Sequence, residues 1–132
     1  MNILLVDDSD IIRQAISNIL SKVEGIASIR EVSNVKKALI LINDYRPDVV
    51  IMDIHLRNGN GLNILKFIKE KFSNIMVIIL TNDALPEYRK ICDDFGADYF
   101  FDKSSEFEKI VDVINKTKNT NNTQHNRKGK ET

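Results

Sequence analysis

The feature that most restricts the fold is an alternation. Five times, a short apolar run of strand length is followed by a segment whose apolar residues recur with a period near 3.6. The runs are Ile3 to Val6, Ala27 to Val32, Val49 to Met52, Ile75 to Leu80 and Tyr99 to Phe101. The helical stretches are built on Ile11, Ile12, Ala15, Ile16, Ile19, Leu20 and Val23, then on Val35, Ala38, Leu39 and Ile42. Three more follow, on Leu62, Leu65, Ile68 and Phe72, on Ile91, Cys92 and Phe95, and on Phe107, Ile110, Val111 and Ile114. Such an alternation predicts an α/β fold, a doubly wound five-stranded parallel sheet with right-handed crossovers and helices on both faces. The runs at Val49 and Ile75 are apolar throughout, as in strands buried on both sides, whereas Ala27 to Val32 alternates and reads as more exposed.

Punctuation agrees with this reading. Gly25 and Gly96 are helix stops, Ser33-Asn34 offers an N-cap, and Pro47 pushes Arg46 out of helical space. Asn58-Gly59-Asn60-Gly61 marks a turn within a loop from His55. Pro86 suits a first helical turn, and Ser105 with Glu108 has capping-box spacing. From about Thr117 no apolar residue appears, so the expected organisation is one domain over residues 1–116 and a disordered polar tail over 117–132.

The 132 residues are enough for one domain with a core. Lys+Arg and Asp+Glu both number 19, so no net field argues for nucleic acid. Cys92 is the only cysteine, which excludes an internal disulfide and reads as a buried structural thiol. The N-terminus has no basic region or cleavage site, and no apolar run approaches the roughly 20 residues of a membrane span. A cytoplasmic protein without membrane contact is expected.

In a parallel sheet the carboxyl ends of all strands share one edge, where ligands bind. Asp7-Asp8, Asp53, Thr81 and Lys103 all fall at strand ends. Each alone has a plain explanation: helix-start acids, a turn starter, strand filler, a surface charge. Together they bring carboxylates close enough to require a cation. An all-oxygen set suits Mg²⁺, with Mn²⁺ as the alternative, and the lack of nitrogen and sulfur ligands disfavours zinc. A nucleophilic carboxylate at Asp53, flanked by a metal, an ammonium and a hydroxyl, is equipped for phosphoryl transfer.

The motifs LLVDDSD, VVIMDIHLRNGNGL, VIILTND and DYFFDK make residues 2 to about 116 resemble a response regulator receiver domain, the phosphoacceptor domain of two-component signalling. The resemblance implies a flavodoxin-like (βα)5 fold with strand order 2-1-3-4-5. It implies Asp53 as phosphoacceptor, Asp8 as direct metal ligand, Asp7 acting largely through water, and the His55 backbone carbonyl as third protein ligand. Thr81 would bind the phosphoryl group and move toward it, Lys103 would pair with a phosphoryl oxygen, and Phe100 would be the aromatic switch. Side chains at His55 and Asp83 would flank the attacking water and tune autodephosphorylation, with a pH-dependent lifetime if His55 takes part. His125, in the tail, is assigned no role. The chain departs from the family pattern at Ser104 and Arg57, where proline is usual, and at Asn82, where a very small residue is usual.

The implied function is a stand-alone receiver, a switch rather than an enzyme apart from weak self-phosphorylation and autodephosphorylation. It would be phosphorylated by a histidine kinase or histidine phosphotransfer protein and signal through the fourth helix, the fifth strand (Tyr99 to Phe101) and the last helix to a protein target or onward relay. It would act as a monomer or a phosphorylation-dependent dimer, without touching nucleic acid. The receiver part of a longer regulator stays open. So does a small Mg²⁺-dependent haloacid-dehalogenase-type phosphatase, for which Asp8-Ser9-Asp10 would be the DxD motif; turnover of a phosphate ester would favour it. A flavin module would want a Ser/Thr/Gly-rich loop where this chain has four residues including three acids, and a receiver signalling by binding alone would not need the full residue set.

Overall fold

A computed structural model describes residues 1–118. The elements run β1 (Asn2–Val6), α1 (Asp10–Leu20), β2 (Ser28–Val32), α2 (Val35–Tyr45), β3 (Val49–Met52), β4 (His55–Leu56), β5 (Gly59–Asn60), α3 (Gly61–Lys71), β6 (Met76–Thr81), α4 (Pro86–Asp94) and β7 (Tyr99–Asp102). Residues 109–118 are helical and form α5. The main sheet has the order β2-β1-β3-β6-β7 and every pairing in it is parallel. This is the doubly wound, flavodoxin-like order expected.

Side chains alternate across each strand, so the sheet separates two apolar clusters. Leu4, Val6, Val50, Met52, Val77, Ile79 and Phe100 pack with Ala38, Ile42, Ile64, Leu65, Ile68 and Cys92 from α2, α3 and α4. Ile3, Leu5, Val49, Ile51, Ile78, Leu80 and Phe101 pack with Ile16 and Leu20 of α1 and Ile110, Val113 and Ile114 of α5. Cys92 is fully buried, and burial first, then the neighbouring Asp93 charge, pushes its thiol up to about 11. At neutral pH it is a small apolar side chain, not a nucleophile.

Helix starts follow local chemistry. Ser9 caps α1 by accepting the Ile12 N–H at 3.2 Å, and Asn34 caps α2 by accepting from Lys37 at 2.9 Å. Arg46, ahead of Pro47, sits in the left-handed region at φ 52° and ends α2.

Some expectations are corrected. Ile11 is 81% exposed, because in the first turn of α1 it points beyond the sheet. Ile91 and Phe95 lie on the outer side of α4, leaving Cys92 as the buried residue of that nine-residue helix. The stretch from His55 expected as loop contains the two-residue antiparallel ladder β4–β5, and Asn60 caps α3. The Ser105 and Glu108 spacing falls in turns ahead of α5, which starts at 109, and the side-chain bonds there are in the preceding turn: Asp102 Oδ1 accepts the Ser104 N–H at 2.8 Å, and Glu106 Oε1 accepts the Asp102 N–H at 3.0 Å. These bonds hold both carboxyls below the usual range, Asp102 chiefly through Ser104 and Glu106 chiefly through Lys109. Helix α5 continues through Thr117 and Lys118, past the boundary drawn at 116; the rest of the expected tail, residues 119–132, lies outside the described residues. No helix among the described residues is long and apolar enough to cross a membrane.

Candidate functional site

Strand register brings the chemistry together. Val6 pairs with Met52, so the next residues, Asp7 and Asp53, leave the sheet side by side; the Asp53 N–H donates to the Val6 carbonyl at 3.0 Å. Met52 pairs with Ile79 and Ile79 with Phe100, which puts Lys103 two positions beyond the level of Asp53. That offset is about 7 Å at strand rise, a distance that a lysine stem spans and a short side chain does not. Lys103 Nζ reaches back to lie 2.7 Å from Asp7 Oδ2 and 2.7 Å from Asp53 Oδ2.

All three side chains are almost wholly buried. Burial by itself would lower the Lys103 pKa. Hydrogen bonds and charge from Asp53 and Asp7 outweigh it and hold the ammonium above its ordinary value. The other oxygens of the two acids take backbone donors: Asp7 Oδ1 accepts the Ser9 N–H at 2.8 Å, and Asp53 Oδ1 accepts the His55 N–H at 3.0 Å. Each carboxylate is thereby fixed at both oxygens.

The remaining predicted residues stand around this pair. Thr81 is fully buried at the end of β6, and its Oγ accepts the Asp83 N–H at 3.2 Å rather than bonding to Asp53. Asp8 is half-buried on the turn after β1 and lies outside the Lys103 contact. The half-exposed His55 and Asp83 side chains meet, Nε2 to Oδ2, at 2.8 Å, and the imidazole stands edge-on to Tyr88 at 5.2 Å between centroids. Phe100 is 7% exposed, with the Arg89 guanidinium 4.8 Å over its ring. Ser104, Arg57 and Asn82 are all exposed. The Lys103–Ser104 peptide is trans, and the Ser104 hydroxyl donates to Asp102 at 2.6 Å.

Sequence patterns did not single out Arg13. It donates to the Asp7 backbone carbonyl and to the Asp10 carboxylate, and its Nε donates to Glu31 Oε1 at 3.1 Å. Helical spacing accounts for the Asp10 bond, an i,i+3 pair within α1, but signals neither the Asp7 carbonyl in the turn before the helix nor Glu31 on β2.

Three carboxylates, Asp7, Asp8 and Asp53, against one ammonium leave a formal charge of −2. That balance and the all-oxygen donor set fit a divalent hard cation. Among the described residues no three metal-ligating side chains converge on one point; Lys103 sits between Asp7 and Asp53. Mg²⁺ makes few direct carboxylate bonds and keeps waters, so such an incomplete cage suits it better than zinc.

Comparison with known proteins identifies the family. The family profile described as "Response regulator receiver domain" matches residues 3–115. The DNA-binding transcriptional activator EvgA of Escherichia coli (strain K12) is 31% identical over 121 residues, covering 90% of this chain and 58% of its own length. Response regulator protein VraR of Staphylococcus aureus (strain MSSA476) is 29% identical over 119 residues, 89% of this chain and 56% of its own. The chain therefore spans somewhat over half the length of these relatives. Among solved structures, a DNA-binding response regulator of the LuxR family from Staphylococcus aureus superposes with TM-score 0.79 at 30% identity, over 87% of this chain and 96% of that one. The response regulator domain of Thermotoga maritima CheB gives 0.75 at 23% identity over 89% and 92%, a likeness of fold alone. Since the family match runs from β1 into α5 and takes in every strand end described above, the chain belongs to the response regulator receiver family.

Proposed function

We propose that this protein is a cytoplasmic, Mg²⁺-dependent phosphoacceptor switch, in which Asp53 takes a phosphoryl group from a histidine kinase or histidine phosphotransfer protein. Receiver domains are generally switches rather than enzymes, and they take phosphoryl groups from histidine kinases. The observation that carries the reading for this chain is the Lys103 ammonium held 2.7 Å from both Asp7 and Asp53 at the carboxyl edge of the sheet.

An Asp53 carboxylate oxygen attacks phosphorus; the O–P bond forms as the donor's P–N bond breaks, the bonding pair returning to nitrogen, and a proton already carried on the donor's other ring nitrogen makes the departing imidazole neutral. Lys103 passes from the bare carboxylate to an oxygen of the incoming group. Thr81, whose lone pair is engaged by the Asp83 N–H, keeps its own proton free to donate to another. Asp8, Asp53 and the His55 carbonyl, with Asp7 acting through water, would hold Mg²⁺ or Mn²⁺. The bound ion supplies charge neutralisation for the transferring oxygens. The added charge favours the arrangement in which Thr81 and Lys103 close on the phosphoryl group, and Phe100 and the face made by α4, β7 and α5 adjust with them.

Beryllofluoride with Mg²⁺ is expected to shift amide resonances around Asp53, Thr81 and Phe100. The response should vanish with a chelator and in Asp53→Asn. Acetyl phosphate should add one phosphoryl group at Asp53; an adduct elsewhere, or none with Mg²⁺ present, overturns the reading.

The His55–Asp83 pair links the loop that follows Asp53 to the loop after β6. We expect His55→Ala to shorten the aspartyl phosphate lifetime about threefold, less than 1 kcal/mol of barrier. An unchanged decay rate would leave His55 a surface residue with no part in the chemistry.

The proposed output is a protein contact by a stand-alone receiver. A second reading, a receiver that works as part of a longer DNA-binding regulator, is favoured by the greater length of EvgA and VraR. An immunoblot of native cell extract decides between them by whether the band runs at this chain's size or above it.

A further inference from the structure

We propose that Arg13 is a positioning residue for the acidic turn, holding the Asp7–Asp8 peptide in the orientation that receives the divalent cation. The inference rests on the phosphoacceptor reading above. Arg13 lies in the first turns of α1, and only 12% of its side chain is exposed. Its planar group fans donors to three groups: the Asp7 carbonyl in the turn after β1, the Asp10 carboxylate one turn back on α1, and Glu31 on the neighbouring strand β2. A guanidinium does this because its five N–H groups point outward in one rigid fork; an ammonium has a single nitrogen.

The bond to the Asp7 carbonyl matters most. That oxygen belongs to the peptide joining Asp7 to Asp8, so fixing it sets where the Asp8 side chain begins. The Asp7 N–H is held in turn by the Val32 carbonyl at 3.2 Å. Asp10 is 90% exposed and Glu31 42% exposed, so as plain ion pairs they contribute little. Their role is to aim the fork.

Charge and position predict opposite signs. Arg13 puts a positive charge beside a cation site, so if it acted only through charge, its removal would tighten Mg²⁺ binding. If it positions the turn, removal loosens binding despite the gain in negative field.

The test is a Mg²⁺ titration of the full chain followed by amide shifts, with thermal melts in chelator to show that each variant is folded. Arg13→Gln is expected to weaken Mg²⁺ binding about tenfold, and Arg13→Lys, which keeps the charge and loses the fork, about threefold. Affinity in Arg13→Gln equal to or tighter than wild type overturns the proposal. Should that variant fail to fold, Arg13→Lys decides, and wild-type affinity there overturns it. Wild type that shows no Mg²⁺ response sinks the phosphoacceptor reading and this inference together. A response lost in Asp8→Asn but unchanged in Arg13→Gln sinks this inference alone.

Discussion

Lys103→Met is expected to lower folding stability by about 3 kcal/mol in chelator and to slow phosphorylation of Asp53 by at least about a hundredfold. The ammonium is the buried cation that contacts both Asp7 and Asp53. Methionine keeps most of the stem and removes the charge, so the loss reports on electrostatics more than packing. Two carboxylates then face each other out of water with nothing between them, a larger penalty than any surface ion pair could produce. The pH dependence has a definite sign. The folded-state pKa of Lys103 is raised above 10.5, so its contribution is fully present below the unfolded value and is lost only as pH rises through the folded one. The deficit of the variant should therefore be flat between about pH 6 and 8. Guanidinium melts at two pH values check this, and a deficit below about 1 kcal/mol would mean that water reaches the pair.

Gly61→Ala is expected to destabilise the protein by about 2 kcal/mol, although alanine is the better helix former. Gly61 opens α3, where propensity alone would favour alanine by about 1 kcal/mol. Space decides otherwise. A β-carbon at this position would lie 2.5 Å from the Asp53 carbonyl oxygen and 2.8 Å from Ile54 Cα, with Met52 Cε at 3.2 Å. The two nearest atoms are backbone and cannot turn away, and such overpacking costs about 3 kcal/mol. Relief would push α3 off the residues that carry Asp53, so phosphorylation should fall with stability. A stabilised variant in chemical melts would show that α3 can shift without strain.

The sheet and the site edge were legible because both follow from short-range signals: continuous apolar runs such as Val49 to Met52, and a polar residue where each run stops. Register did the rest, since Val6 and Met52 are neighbours and whatever follows them must meet. Less legible were features that depend on where a helix lies over the sheet. Ile11 and Phe95 keep helical spacing yet face outward, because α1 begins beyond the sheet edge and α4 turns a single buried row inward at Cys92. The Ser105 and Glu108 spacing suits a capping box, but the chain runs through turns from 103 to 108 and becomes helical only at 109, with Asp102 and Glu106 bonding within the first of those turns. Arg13 was missed for a deeper reason: helical spacing shows only the Asp10 pair, whereas the Asp7 carbonyl depends on the course of the turn and Glu31 is brought up by β2.

The partition of the interior has a consequence for how a partner would sense this molecule. Phe100 and Phe101 are adjacent in sequence, yet their rings belong to different compartments, one roofed by α2, α3 and α4, the other by α1 and α5. Displacement of α5 would therefore bear first on Phe101, and displacement of α4 on Phe100. Two neighbouring aromatic rings are thus mechanically separated, each packed on its own side of the sheet.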